Sequence, residues 1–132
     1  MRKITLIVIH SSAVVPRQQS MANEIERGQN TEYHFMVHRS GEIEAGRRME
    51  EVASHVQNHN KHSIAICYEG GLNSEDCPAD PRNPKQVKAL RELVEQMHAY
   101  FPKALIVGHH DLDPRMDCPY FDTVKEFADL QP

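Results

Sequence analysis

The sequence predicts an α/β fold, a single domain with a central mixed β-sheet flanked by helices. Three observations predict it. Apolar runs at 3–10, 63–69 and 103–107 are short and rich in β-branched residues, as strands covered on both faces are. One long stretch, 84–101, carries apolar residues at helical spacing. Strand and helix alternate from residue 63 onward, which implies a parallel pair within the sheet. At 132 residues the chain is expected to form one domain, 1–132, able to bury roughly two thirds of its unfolded surface without staples.

In chain order, Met1-Arg2-Lys3 opens like a signal peptide, but the apolar run after it is too short and ends in His10. Residues 3–10 are therefore read as a strand of the mature protein, with no export signal and a cytoplasmic location in the producing cell. No apolar run approaches the roughly 18 residues of a membrane span. Residues 11–32 are polar and turn-rich, with a short helix expected from Ser20, its N-cap, to Arg27, stopped by Gly28. Residues 33–38 read as the second strand, Arg39-Ser40-Gly41 as a turn and 42–45 as a returning hairpin arm. Arg48 to Ala53 is expected to make a helical turn, and 54–62 a loop.

Gly70-Gly71 ends the strand 63–69, and the prolines at 78 and 81 mark 72–83 as loop. Asn83 then caps the long helix, Pro84 fits its first turn, and Gln86 completes an Asn-x-x-Gln capping box. Val87, Leu90, Val94, Met97 and Phe101 are expected on its buried face. Pro102 ends it, the strand 103–107 follows, and Asp122 caps a last helix near 122–130.

The net charge of −4, with no basic cluster, gives no reason to expect nucleic acid as a partner. Cysteines at 67, 77 and 118 are odd in number, so a pure disulfide framework is not expected. Cys67 lies mid-strand and reads as core packing, Cys77 as a surface thiol. Nine histidines raise the prospect of a metal.

The chemistry concentrates after the strand 103–107, in Gly108-His109-His110-Asp111-Leu112-Asp113-Pro114-Arg115-Met116-Asp117-Cys118-Pro119. Ligands gather at strand ends in α/β sheets. His10 ends the first strand as His109 or His110 ends a later one. If those strands are neighbours, two imidazoles share a sheet edge and Cys118 can return to it. Two imidazoles and a thiolate with an open fourth position suit catalytic zinc. A His10 merely bonded to backbone competes evenly with that reading, and Cys118 as a histidine-activated nucleophile is a further alternative. No His-Glu-x-x-His, Cys-x-x-Cys, Gly-x-Ser-x-Gly or Walker loop is present.

Four segments in order carry a resemblance: Ile7-Val8-Ile9-His10-Ser11-Ser12, Tyr33-His34-Phe35-Met36-Val37, His55-Val56-Gln57-Asn58-His59-Asn60 with Ser63-Ile64-Ala65-Ile66, and Val107-Gly108-His109-His110 with Cys118-Pro119. The chain resembles the zinc-dependent N-acetylmuramoyl-L-alanine amidases, which include phage amidase lysozymes and the peptidoglycan recognition proteins. The resemblance implies that family's fold, with Zn2+ held by His10, His109 and Cys118 at a groove floor. It implies cleavage of the amide between N-acetylmuramate and L-alanine in peptidoglycan, by a monomer that meets the wall after release. Tyr33 is the implied catalytic phenol. His55, His59 and Asn60 are candidates for touching substrate.

Two departures stand out. Members often carry a lysine two places before the third ligand; here Met116 stands there, and the neighbouring cation Arg115 is the candidate charge stabiliser. The segment between His10 and Tyr33 is short, and the chain has no tryptophan. These departures motivate the alternative of a peptidoglycan-binding module that does not hydrolyse.

Overall fold

The computed structural model describes residues 2–12, 32–56, 58–70, 82–116 and 118–132. The expected helix at 20–27, Cys77 and most of the loop 72–83 lie outside them. Five strands form one sheet: β1 (Leu6–Ser11), β2 (Phe35–Val37), β3 (Ile43–Ala45), β4 (Ser63–Tyr68) and β5 (Leu105–Gly108). Their order is β3-β2-β4-β1-β5. β1 is central and runs parallel to both β4 and β5. β2 is parallel to β4, and β3 returns antiparallel as the hairpin arm, its turn closed by Gly41 at φ 90°. The sheet is mixed, as expected.

Every residue of β1 and β4 is buried, which is why both read as continuous apolar runs rather than alternating ones. Alternation still decides which way each side chain points. Ile7 and Ile9 join Ile64, Ile66 and Ile106 in the large core under the long helix α1 (Pro84–Tyr100). Leu6 and Val8 point to the opposite face and meet Val56, Val107 and Leu112 in a thin second layer. His10 shares that second face by parity, so the sheet presents it away from the main core.

The Asn83 capping box forms as expected, Asn83 accepting from Gln86 N and Gln86 from Asn83 N. The buried stripe of α1 is Gln86, Ala89, Leu90, Leu93, Val94 and Met97. Val87 is a correction: it lies 37% exposed, one helical step off the stripe, and Gln86 takes the inward place. Gln86 is satisfied there because its amide also donates to Glu69 O.

Two short elements differ in extent from the expectation. Residues 48–53 hold one turn, closed by Glu51 N donating to Arg48 O at 2.9 Å, and it does not continue as a helix. Their carbonyls go to tertiary partners: Arg2 donates to Met49 O, and His34 Nε2 lies 2.9 Å from Glu51 O. The terminal helix is split into α3 (Thr123–Glu126), capped by Asp122, and a 3-10 turn at Ala128–Leu130. A short helix, α2 (His109–Leu112), follows β5 directly. β5 is an edge strand, and the Gln131 amide covers that edge by bonding both N and O of Ile106.

Candidate metal centre

Parallel pairing builds the site. The β1–β5 register sets Ile9 opposite Gly108, so His10 and His109 leave adjacent strand ends at the same level. Their rings stand 4.7 Å apart. The loop after α2 then brings Cys118 back, held where His110 N donates to Cys118 O over 2.8 Å. One nitrogen from each histidine and Cys118 Sγ all lie within 4.8 Å of one another. His110 is not part of this group; its ring turns to Asp111, 3.4 Å away.

The donor set fits zinc chemically, being two imidazoles and one sulfur, a borderline-soft combination. Each donor is also prepared for the role. His10 is 2% exposed, and burial beside His55 and His109 holds its pKa well below the usual histidine value, so it is neutral. Burial likewise lowers His109. Cys118 Sγ accepts from Ser11 N at 3.0 Å and Ser11 Oγ at 3.4 Å, two donors that suit a thiolate. Without a metal, burial outweighs those donors and raises the thiol pKa.

Gly108 is the hinge of this geometry. A Cβ there would meet Thr123 Oγ1 at 2.6 Å and Pro119 Cδ at 2.7 Å, next to Cys118. Gly108→Ala is therefore expected to cost about 1–3 kcal/mol by overpacking and to weaken metal binding by displacing the Cys118 loop. Denaturant melts and a metal titration of the same variant check both; an unchanged titration would show that the loop is not held this way.

Tyr33 precedes β2 and leans over the centre, its ring 5.4 Å from that of His10. Burial pushes its pKa far up, and its hydroxyl bonds to the Cys67 thiol. The phenol therefore keeps its proton near neutral pH. Cys67, paired with His10 in the β1–β4 register, is wholly buried on the same face of the sheet and is not among the three converging donors.

The expected substrate contacts are placed unevenly. A cavity of about 330 Å³ holds His10, His109, Cys118, Tyr33, His55 and Met116. A second, of about 370 Å³, adjoins it through His55, His109 and Met116 and adds His59 and Arg115. Met116 thus borders both. Arg115 lies only in the second, 86% exposed and bound through Nε and Nη2 to both oxygens of Asp113. His59 lies 3.3 Å from His62. The Asn60 side-chain oxygen is used internally, accepting from His55 N and Val56 N. His55 lies 2.8 Å from His10 Nε2 and 2.7 Å from Ser63 Oγ.

Two hydroxyls that bond to residues of the site had no separate signal in the sequence. Ser11 and Ser63 are small hydroxyls inside apolar strands and become partners of Cys118 and His55 only through the fold. His34 is wholly buried; its Nδ1 accepts from Ala65 N, which fixes the Nε2-protonated neutral form.

The chain matches the N-acetylmuramoyl-L-alanine amidase family over residues 1–121. It belongs to that family. Among curated relatives, it is 39% identical over 90 residues to an endolysin of Enterobacteria phage K11, covering 68% of this chain and 59% of that protein. The chain thus matches less than two thirds of the length of that relative. Among solved structures, the endolysin amidase LysCS of Clostridium intestinale superposes at a TM-score of 0.77 with 25% identity, over 98% of this chain and 84% of that one. A Drosophila peptidoglycan recognition protein, PGRP-LB, shares the fold at a TM-score of 0.69 and 21% identity, over 97% and 81%.

As an amidase-family domain the protein places four histidines, His10, His34, His55 and His109, in surroundings that lower their pKa below the ordinary 6.5, burial being the largest cause in each; His55 falls to about 3. Unfolding lets each take up a proton near pH 6.5 that the fold refuses. Their contribution to stability is therefore present above pH 6.5 and lost as pH falls through the window below it. Metal-free protein is expected to melt at progressively lower temperature from pH 7 to pH 5. Circular dichroism melts across that range measure it; a flat profile would contradict the neutral assignments.

Proposed function

We propose that this chain hydrolyses the amide between the lactyl group of N-acetylmuramic acid and L-alanine in peptidoglycan, using zinc held by His10, His109 and Cys118. The observation that carries this reading is the convergence of two imidazole nitrogens and one sulfur within 4.8 Å, on a cavity that also holds Tyr33, in a chain of this family. In this reading the protein acts as a monomer, at the cell wall, after release from the producing cell. No helix of the described residues is long and apolar enough to cross a membrane.

When bound, zinc supplies Lewis acidity, which makes water nucleophilic near neutral pH and draws electron density from the amide carbonyl. The chain's own groups do the remaining work. His10 and His109 are neutral and offer lone pairs, and the two Ser11 donors would support Cys118 as a thiolate once a cation displaces the proton that burial keeps on it. Tyr33 keeps its proton near neutral pH, and turning that one proton from the Cys67 sulfur to the oxyanion that develops as water adds to the carbonyl would steady it. Arg115 and His59 line the outer cavity and would meet the more distant parts of the substrate. His55 and Asn60 contribute mainly by holding the wall of the groove.

Met116 stands where a lysine is usual in the family and brings no charge to the cavity it shares with the three ligands. Arg115 is directed to Asp113, away from them. Met116→Lys is expected to raise kcat about tenfold or more, because a positioned cation in such a cavity offsets developing negative charge. Steady-state rates on purified wall fragments check this, and a fall in kcat would show that the thioether itself is needed. A peptidoglycan-binding module without hydrolysis is the reading Met116 favours in the opposite case. A cysteine peptidase is disfavoured by the raised pKa of the Cys118 thiol, which keeps it protonated without a metal.

Product analysis separates these readings. Mass spectrometry of digested peptidoglycan is expected to show intact glycan strands and stem peptides with a free L-alanine amino terminus. Cleaved glycan, or bound wall without any new amine, would refute the proposal.

A further inference from the structure

We propose that His55 and Ser63 form a positioning pair that sets the tautomer of His10, leaving His10 Nδ1 as a bare lone pair for the metal. The inference rests on the zinc reading above and follows from hydrogen-bond donors alone. The Ser63 hydroxyl lies 2.7 Å from His59 O. A carbonyl only accepts, so the single hydroxyl proton of Ser63 is committed there. His55 Nε2, 2.7 Å from Ser63 Oγ, must then be the donor of that bond. A neutral imidazole carries one N–H, so His55 Nδ1 is left as an acceptor. His10 Nε2, 2.8 Å from it, must donate. His10 Nδ1 is consequently unprotonated, as a metal ligand requires.

The relay is anchored at both ends by the loop before β4. Asn60 Oδ1 accepts from His55 N at 3.0 Å and Val56 N at 2.8 Å, which fixes the backbone that carries His55. Ser63, the first residue of β4, is wholly buried, and its bond to the loop carbonyl is partly buried. The histidine and asparagine of this loop therefore act on the centre from behind the ligand. Reversing one bond in the chain would put a proton on His10 Nδ1 and close the site to a cation.

Zinc affinity of the full chain, measured by chelator competition, tests this for wild type, Ser63→Ala, His55→Leu and His55→Gln. Ser63→Ala is expected to weaken zinc about 10-fold and His55→Leu up to about 100-fold. His55→Gln is expected to recover most of the loss, since its amide oxygen can accept from His10 Nε2–H while its NH2 donates to Ser63. A cobalt-substituted sample should show a shifted thiolate charge-transfer band in His55→Leu and a near-native one in His55→Gln. A role confined to packing would lower the melting point of metal-free protein but leave zinc affinity unmoved. If His55→Leu does not fold, Ser63→Ala and His55→Gln decide. Wild-type affinity in Ser63→Ala, or a His55→Gln more than about 100-fold weaker than wild type, overturns the pair. Wild-type protein that binds no zinc overturns the function reading itself, and the pair with it.

Discussion

Cys118→Ser is expected to lower amide hydrolysis by at least about 10³-fold, a loss of about 4 kcal/mol of transition-state stabilisation. The reasoning is local. Sulfur is the softest of the three donors, and a serine hydroxyl stays protonated near neutral pH, so the anionic ligand is lost. The two Ser11 donors that face the sulfur would still be satisfied by the serine oxygen. The fold should therefore survive while metal content falls, which separates this variant from a merely unstable one. Metal analysis and rate measurement on the same preparation check it. Retained activity with no bound metal would return Cys118 to an ordinary buried thiol.

Tyr33→Phe is the second large effect, with kcat expected to fall about 10²–10³-fold, as removal of one oxyanion donor typically does. The phenol is held as a donor by burial and sits over His10, with its ring 5.4 Å away. It is not one of the converging ligands, so zinc affinity should stay near that of wild type. That contrast is the point of the measurement: a donor to the transition state changes kcat and leaves metal content alone. A loss of metal in Tyr33→Phe would place the tyrosine in the scaffold of the centre instead. Because the hydroxyl also bonds the Cys67 thiol, a melting curve of the variant belongs beside the kinetics.

Much of the architecture was legible in residue order, for reasons that differ between elements. β1 and β4 are buried on both faces, so continuous apolar runs marked them. The long helix announced itself through Asn83, Pro84 and Gln86, a local motif that needs no tertiary help. The 48–53 turn does not extend into a helix because its carbonyls are claimed by Arg2 and His34, from the segments ahead of β1 and β2, which no local pattern reveals. Val87 was misplaced since apolar spacing alone does not show that Gln86 can be buried when its amide meets Glu69 O.

The site divides in the same way. His10, His109 and Cys118 are distinctive residue types at strand ends and in a loop, so they could be singled out before any geometry. Their convergence depends on β1 and β5 being neighbours in register, which strand order supplies. The roles of Ser11 and Ser63 were invisible because they are bonds from strand ends to residues in loops, Cys118 and His55. Asn60 was expected at the substrate, yet its oxygen is turned to the backbone of its own loop. Arg115 was the nearest cation in sequence to the missing lysine; Asp113, two residues away, binds it outside the inner cavity.

The most direct test of the metal-amidase account is a chelation and restoration cycle on the purified chain. The protein as isolated should carry about one zinc and release L-alanine-terminated stem peptides from peptidoglycan. Removal of the metal should abolish release, and one equivalent of zinc should restore it. Full release of stem peptides by metal-free protein would contradict the account.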